Sequence, residues 1–151
     1  MPEKETLKHA EEDKREGKSP STQAGEFVHE EMDHIKEGKH GARSTKQAIA
    51  IGLSKARRAG VKLPPPKKGS ASSATRKRAS RDVAKGRSAK TRRTSRTRSR
   101  ATSKALRREG HSAASRSSLA RQARSSARRR GAAARSRAAK KAARTRKRER
   151  S

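Results

Sequence analysis

The residues with the strongest potential for chemistry lie at positions 29–34, His-Glu-Glu-Met-Asp-His. The segment begins like the zinc-binding motif H-E-x-x-H, but Asp33 stands where that motif has its second histidine. The pairs His29/Asp33 and Glu30/His34 have i, i+4 spacing, so each could hold a metal ion weakly on one helix face. A solvated polar helix face is the alternative, and the sequence predicts that alternative and no metal site.

The glycine-rich loop at residues 38–44, Gly-Lys-His-Gly-Ala-Arg-Ser, is the second candidate site. It does not match G-x-x-x-x-G-K-[ST], so it does not indicate a nucleoside triphosphate loop. The loop does lead into a predicted helix, and backbone N–H groups at a helix N-terminus favour a phosphate. The candidate phosphate-binding residues are Lys39, Arg43, Ser44 and Lys46. An ordinary capped turn is the alternative.

The composition argues against an enzyme. Leu, Ile, Val and Phe make up 12 of the 151 residues, whereas a highly charged chain with less than about 20% of these residues is expected to stay disordered. The chain has no cysteine, which excludes disulfides and thiolate zinc sites. Because a nucleophile system needs a core to position it, we predict no catalytic residues and no cofactor.

The charge of the chain indicates a polyanionic partner. Lys and Arg number 45 and Asp and Glu 14, which gives a formal net charge of +31. Residues 1–40 carry a net charge of −4, residues 41–66 carry +6 and residues 67–151 carry +29. Such an asymmetry is typical of nucleic-acid-binding proteins. We therefore predict a nucleic-acid partner for residues 67–151, with DNA favoured over RNA.

The chemistry of this basic tail favours phosphate contacts over base contacts. Residues 67–151 contain 23 Arg, nine Lys and no aromatic residue, so bases cannot stack on them. Nothing in the tail specifies a base sequence. The candidate nucleic-acid-binding residues are Arg76, Lys77, Arg78, Arg92, Arg93, Arg96, Arg98, Arg100, Arg107, Arg108, Arg128, Arg129, Arg130, Lys140, Lys141, Arg146, Lys147 and Arg148.

Two helices are predicted before the tail, at about residues 20–37 and 45–59. Ser19-Pro20 suits an N-cap followed by proline at the first helical position. Ser44 and Gln47 fit a capping box at the second helix. The apolar spacing predicts a helical hairpin whose two helices meet along a thin seam. The predicted interface residues are Phe27, Val28, Met32, Ile35, Ile49 and Leu53. A seam this thin leaves a homodimer or a protein partner open as its stabiliser.

The sequence divides into three parts on this interpretation. Residues 1–63 form the hairpin module, in which residues 4–16 could add an exposed charged helix. Residues 64–69 form a proline-rich linker, because Pro64-Pro65-Pro66 favours extended backbone and ends a preceding helix. Residues 70–151 form a low-complexity tail rich in Arg, Ala and Ser.

The tail is expected to be mostly coil when free. Four stretches in it have helix-forming composition, but clustered positive charges repel one another until phosphates neutralise them. These stretches are Thr75–Lys85, Ser103–Glu109, Ser112–Arg130 and Ala132–Arg148. The predicted fold class is thus mostly α: a small two-helix hairpin with a long disordered or conditionally helical tail, and no compact globular domain.

Two resemblances add to this interpretation. Gly17–Val28 and Gly38–Gly60, the latter containing Ser-Thr-Lys-Gln-Ala-Ile-Ala-Ile-Gly-Leu-Ser-Lys-Ala-Arg-Arg-Ala-Gly, resemble a small bacterial domain family of unknown function. That resemblance covers about residues 1–66; it implies a bacterial origin and supplies no activity. The tail resembles in composition those of linker-histone-like bacterial nucleoid proteins and of protamines, although it favours Arg over Lys.

The function expected from the sequence is binding of nucleic acid without sequence specificity. The first hypothesis is a nucleoid-associated protein that condenses DNA through its Arg-rich tail. The alternative is an RNA- or ribosome-associated protein whose hairpin is a protein-interaction adaptor. The acidic first thirty residues indicate no secretory signal, and no apolar window predicts a membrane span. The expected location is the cytoplasm, in association with the nucleoid.

Overall fold

A computed structural model describes residues 2–88 and 95–150 of the chain. These residues form two units, Met1–Ser115 and Arg116–Ser151. The helices of the first unit are α1 (Lys4–Arg15), α2 (Pro20–Lys36), α3 (Thr45–Arg58), α4 (Ser73–Arg87) and α5 (Arg96–Arg107), followed by a 3-10 turn at Ser112–Ala114. The second unit is α6 (Arg116–Glu149). No helix in residues 2–88 and 95–150 is long and apolar enough to cross a membrane.

Serine residues cap four of these helices. Each accepts a hydrogen bond from the backbone N–H three residues later, and such a cap stabilises a helix by about 1 kcal/mol. The four capping serines are Ser19, Ser44, Ser72 and Ser95. Two of them lie in the basic tail, so part of its high serine content starts helices.

The core of the first unit lies between α1, α2 and α3. Phe27 and Ile35 of α2 are fully buried. The buried cluster consists of Ala10, Ala24, Phe27 and Ala56. The partly buried side chains of Leu53, Val61 and Leu63 pack against it. Eight of the eleven buried apolar side chains among the described residues are alanines, which our count of large apolar residues left out. Alanine and glycine let helices approach closely, so a core forms with few large side chains.

The fold class predicted from the sequence is wrong, because Met1–Ser115 is a compact unit of packed helices that extends well beyond a two-helix hairpin. Within the first unit, α4 packs against α3, and a Cβ at Gly86 would collide with the backbone oxygen of Arg57. Residues that we assigned to a disordered tail therefore belong to the folded unit.

The end of α5 and the segment after it also belong to the first unit. The backbone N–H of Gly41 donates to the carbonyl of Leu106 at 2.9 Å, and that of Ala42 donates to Gly110 at 3.0 Å. The 3-10 turn contacts α2 and α3, and the Thr45 hydroxyl donates to the carbonyl of Ala113 at 2.6 Å. These hydrogen bonds join positions more than sixty residues apart, which local sequence patterns do not report.

The proline-rich segment between α3 and α4 is not helical. Arg57 donates from Nε to the Leu63 carbonyl and from Nη2 to the Pro64 carbonyl, both at 3.3 Å. Burial lowers the pKa of this guanidinium, and Asp82 opposes the shift. The start of the segment is therefore tied to α3 by a buried side chain.

The second unit is helical, whereas we expected coil. Gly131 interrupts it with a φ of 75° and a ψ of 165°, and this divides α6 into two helical pieces. Only glycine adopts such a backbone conformation readily. The break falls at the glycine that separates two of the stretches with helix-forming composition.

Candidate nucleic-acid interface

Helix α4 has two faces of different character. Ala79 and Asp82 are buried, and Arg76, Val83 and Gly86 are partly buried on the same side. This spacing of three and four residues is that of one helix face, and it is the face toward α3.

The opposite face of α4 is basic. Lys77, Arg78, Arg81 and Lys85 are all exposed. Lys77, Arg81 and Lys85 follow one another at intervals of four residues, which places neighbouring side chains about 6 Å apart on the helix surface. We call the set Lys77, Arg78, Arg81 and Lys85 the α4 basic row.

Asp82 holds α4 against α3, so that the α4 basic row lies on the exposed side of the helix. Its two carboxylate oxygens accept hydrogen bonds from α3, one from the Ser54 hydroxyl and one from Arg58 Nε, both at 2.7 Å. Asp82 is 6% exposed and is the only acid in α4. A buried carboxylate is stable only when it is paired and hydrogen-bonded, so this contact fixes the rotation of α4.

The predicted tail residues fall into three groups. Arg92 and Arg93 lie outside the described residues. Arg76 is partly buried on the face of α4 toward α3, unlike its neighbours Lys77 and Arg78. The exposed residues are Lys77, Arg78, Arg96, Arg98, Arg100, Arg107, Arg108, Arg128, Arg129, Arg130, Lys140, Lys141, Arg146, Lys147 and Arg148.

Arg81 and Lys85, which complete the α4 basic row, are not among the residues predicted from the sequence. The signal that could have found them is the spacing of Lys77, Arg81 and Lys85 at i, i+4 and i+8. We predicted a helix there but selected the binding residues from runs of adjacent charges. That selection did not distinguish the exposed face of the helix from the face that packs against α3.

Backbone N–H groups of the predicted phosphate site already donate hydrogen bonds within the chain, so few of them are left to bind a phosphate. The N–H groups of Gly41 and Ala42 donate to carbonyls at the end of α5 and in the segment after it. The Arg43 N–H donates to Gln47 Oε1 at 2.8 Å. Lys39 pairs with Glu3 and Glu37 at 3.1 and 3.0 Å.

The remaining residues of that site serve the start of α3. Ser44 is the N-cap of the helix, and its hydroxyl accepts from the Gln47 N–H at 3.2 Å. Arg43 and Lys46 are exposed. Taken with the engaged N–H groups, these contacts describe a capped turn, which was the alternative interpretation of the loop.

The predicted hairpin interface residues lie between the helices of the first unit. Phe27, Met32 and Ile35 are buried, while Val28, Ile49 and Leu53 are partly buried. Their seam is extended by α1, which packs against α2. The additional surface that covers this seam therefore comes from α1 of the same chain.

A cluster of buried charges crosses the same seam, and sequence reasoning did not find it. Lys55 Nζ of α3 lies 2.8 Å from Glu30 Oε1 and 2.8 Å from Glu31 Oε2. Burial alone lowers the pKa of Lys55, but the bonds to these carboxylates raise it above its ordinary value. The ammonium group therefore stays charged and links α2 to α3.

Glu30 is stabilised as a carboxylate. Burial alone raises its pKa, but hydrogen bonds from Lys55, Thr6 and the Glu3 backbone N–H hold that pKa below its ordinary value. The Glu3 N–H lies 3.1 Å from Glu30 Oε2. Glu30 thereby links the start of α1 to α3.

The two metal-binding pairs considered from the sequence have other partners. His29 Nδ1 lies 3.3 Å from Asp33 Oδ2 on an exposed helix face. Glu30 pairs with Lys55, and His34 Nε2 lies 2.8 Å from Glu3 Oε1. Among the described residues, the group that could hold a metal ion is Glu31, His34 and His40.

Comparison with known proteins shows that one part of the chain is similar to a described family. Residues 17–68, about a third of the chain, match a family of unknown function (DUF6496). The resemblance of this part to an uncharacterised family is therefore confirmed, and the match supplies no activity. No curated protein and no solved structure matches the chain.

Proposed function

We propose that the chain binds nucleic acid without sequence preference, through the exposed Lys and Arg side chains of α4, α5 and α6. The observation that carries this proposal is the α4 basic row on a helix whose other face is anchored to α3 by Asp82. Anchoring keeps the four charges on one side of the unit, where they repel one another. A polyanion laid along the row relieves that repulsion.

The other basic helices supply further phosphate contacts. Every residue of α5 except Leu106 is exposed, and the helix contains no acid. The Arg116–Ser151 unit has fifteen Lys and Arg against the single Glu149. Neither helix contains an aromatic residue, so base stacking is not available to them. Arg and Lys contacts to phosphate carry no sequence information by themselves, which is why we propose non-specific binding.

Duplex DNA is the favoured partner. It carries one negative charge per about 1.7 Å of axis, and Arg side chains also enter narrow minor grooves. The proposed role is that of a nucleoid-associated protein that coats and condenses DNA. An RNA- or ribosome-associated role is the competing proposal, and the partner preference distinguishes the two.

Binding measurements across a salt series test this function. We would compare the full chain with residues 1–115 and residues 116–151, because the folded unit ends at Ser115. The ligands are a random-sequence DNA duplex and a structured RNA. Each phosphate contact is expected to contribute about −0.9 to the slope of log affinity against log salt concentration.

We expect the full chain to show the steepest slope and to bind DNA at least as tightly as RNA. Tighter binding to RNA would favour the RNA-associated role. Affinity that does not fall with salt would contradict phosphate binding altogether.

A further inference from the structure

Three potential metal ligands meet where α2 ends. Glu31 and His34 are three residues apart, so they share one face of α2. Gly38, with a φ of 76°, reverses the chain after the helix and brings His40 back toward that face. One ligand atom from each residue, Glu31, His34 and His40, lies within 4.8 Å of the other two.

The carboxylate of this group is buried and incompletely hydrogen-bonded. Glu31 is 1% exposed, and its Oε1 lies 3.1 Å from His40 Nε2. Its Oε2 forms an ion pair with Lys55 Nζ at 2.8 Å and has no further hydrogen-bond donor in the described part of the chain. A buried carboxylate oxygen in this condition retains a capacity to bind a cation.

Both histidines are also held from outside the cluster. His40 Nδ1 lies 3.0 Å from the Gly41 carbonyl oxygen, which leaves its Nε2 facing Glu31. His34 contacts the Glu3 carboxylate at 2.8 Å. Histidines that ligate metals commonly donate their other N–H to a carbonyl or a carboxylate, which fixes the orientation of the ring.

We infer that Glu31, His34 and His40 form a binding site for Zn²⁺ with three protein ligands and a fourth position open to water. Two imidazoles and one carboxylate are a donor set that Zn²⁺ accepts. Bonds of about 2.0–2.1 Å in a tetrahedral site place donor atoms about 3.4 Å apart. The ligand atoms therefore need to close in by less than about 1.5 Å, which side-chain rotation can supply.

The charges around the site are compatible with a dication. Lys55 faces Glu31 but also pairs with Glu30, so its charge is shared between two carboxylates. Glu3 adds a further negative charge beside His34, and Lys39 pairs with Glu3 at 3.1 Å. The three carboxylates of Glu3, Glu30 and Glu31 thus outnumber the two ammonium groups of Lys39 and Lys55 that compete with the metal.

Metal binding here would act on the architecture of the first unit. The site joins the end of α2 to the loop at residues 38–43. This loop donates hydrogen bonds, through Gly41 and Ala42, to the end of α5 and the segment after it. A bound ion would hold the loop against the helix. We therefore expect Zn²⁺ to stabilise the first unit, independently of nucleic-acid binding.

The test uses the full chain, freed of metal with a chelator and titrated with Zn²⁺ by calorimetry in the absence of nucleic acid. We expect one Zn²⁺ per chain with a Kd of about 10 μM or tighter, and a higher thermal midpoint when Zn²⁺ is bound. His34→Ala and His40→Ala should each weaken binding at least about tenfold. The matched control is His29→Ala, on the exposed face of the same helix, which should bind Zn²⁺ like the unsubstituted chain.

Two further measurements keep the inference open to refutation if one variant fails to fold. Circular dichroism of the metal-free variants reports folding, and Glu31→Gln keeps the size of the side chain while weakening the ligand. Co²⁺ added to the unsubstituted chain should give the intense visible absorption of a four-coordinate site. Absence of saturable Zn²⁺ binding, an equal loss with His29→Ala, or a weak six-coordinate Co²⁺ spectrum would overturn the inference.

Discussion

Gly52 of α3 lies directly against Val28 of α2, so closely that a Cβ at position 52 would be 2.7 Å from the Val28 Cα. Backbone atoms occupy this space and cannot rotate away. The contact therefore fixes how near the two central helices of the first unit approach each other. It also explains why a residue with poor helix propensity stands in the middle of α3.

Gly52→Ala should lower the free energy of unfolding by about 1–3 kcal/mol, because the added methyl group forces α2 and α3 apart. Urea denaturation measures the change. The matched control is Gly25→Ala in α2, where a Cβ meets nothing within 4 Å. That variant should be stabilised by about 0.5–1 kcal/mol through helix propensity. A stabilised Gly52→Ala chain would show that the helices are not in close contact.

Asp82→Ala should destabilise the first unit by about 1–3 kcal/mol, since Ser54 and Arg58 lose their shared acceptor. Hydrogen exchange of the α4 amides should rise together with this loss. Asp33→Ala, which removes contacts with Lys36 and His29 near the surface, is the control and should change stability by less than about 0.5 kcal/mol. Unchanged exchange in α4 would show that Asp82 does not anchor this helix.

The lowered pKa of Glu30 predicts that the folded chain loses stability in acid. Because its pKa is lowered in the folded chain, its contribution is present above the ordinary Glu pKa of 4.5. The contribution disappears as the pH falls through the lowered value. Glu30→Gln should therefore be less stable than the unsubstituted chain at pH 7, and this difference should shrink below pH 4.5.

Denaturation in the presence of a chelator separates the Glu30 effect from metal binding. Glu11→Gln, at an exposed position of α1, is the control and should keep the same small difference from the unsubstituted chain at both pH values. A Glu30→Gln difference that is constant with pH would contradict the assigned ion pair.

Ser44→Ala should cost about 1 kcal/mol, because its hydroxyl caps α3 by accepting from the Gln47 N–H. Ser44→Asp keeps an acceptor and adds a favourable charge at the helix N-terminus, so it should retain the stability. Thermal unfolding followed by circular dichroism compares the two. Equal losses in both variants would show that the cap does not stabilise α3.

The proposed nucleic-acid interface predicts a change in salt dependence. Lys77→Gln, Arg81→Gln and Lys85→Gln together should reduce the magnitude of the slope of log affinity against log salt by up to about 2.7, if each residue contacts one phosphate. The charge-matched control changes Lys4, Lys8 and Arg15 of α1 to Gln and should leave the slope unchanged. Equal effects of the two variants would indicate that only net charge matters.

The sequence alone determined the local features of this chain. Ser44 with Gln47 and Ser19 with Pro20 mark helix starts because a cap depends on residues within four positions of each other. Gly131 marks the break in α6 for a similar reason, because glycine tolerates its backbone conformation wherever it stands. The charge imbalance is likewise a property of composition, so the proposal of a polyanionic partner needed no structure.

The tertiary structure decided which of these local elements pack together. Counting large apolar residues predicted a disordered tail, but a core can also form from alanines, close glycine contacts and buried ion pairs. Gly86 against Arg57, Asp82 with Arg58, and Gly41 with Leu106 each join positions more than twenty residues apart. The geometry of such contacts depends on how whole helices cross. The orientation of Asp82 toward α3 and the contacts of Glu31 with His40 and Lys55 therefore became visible only in the folded chain.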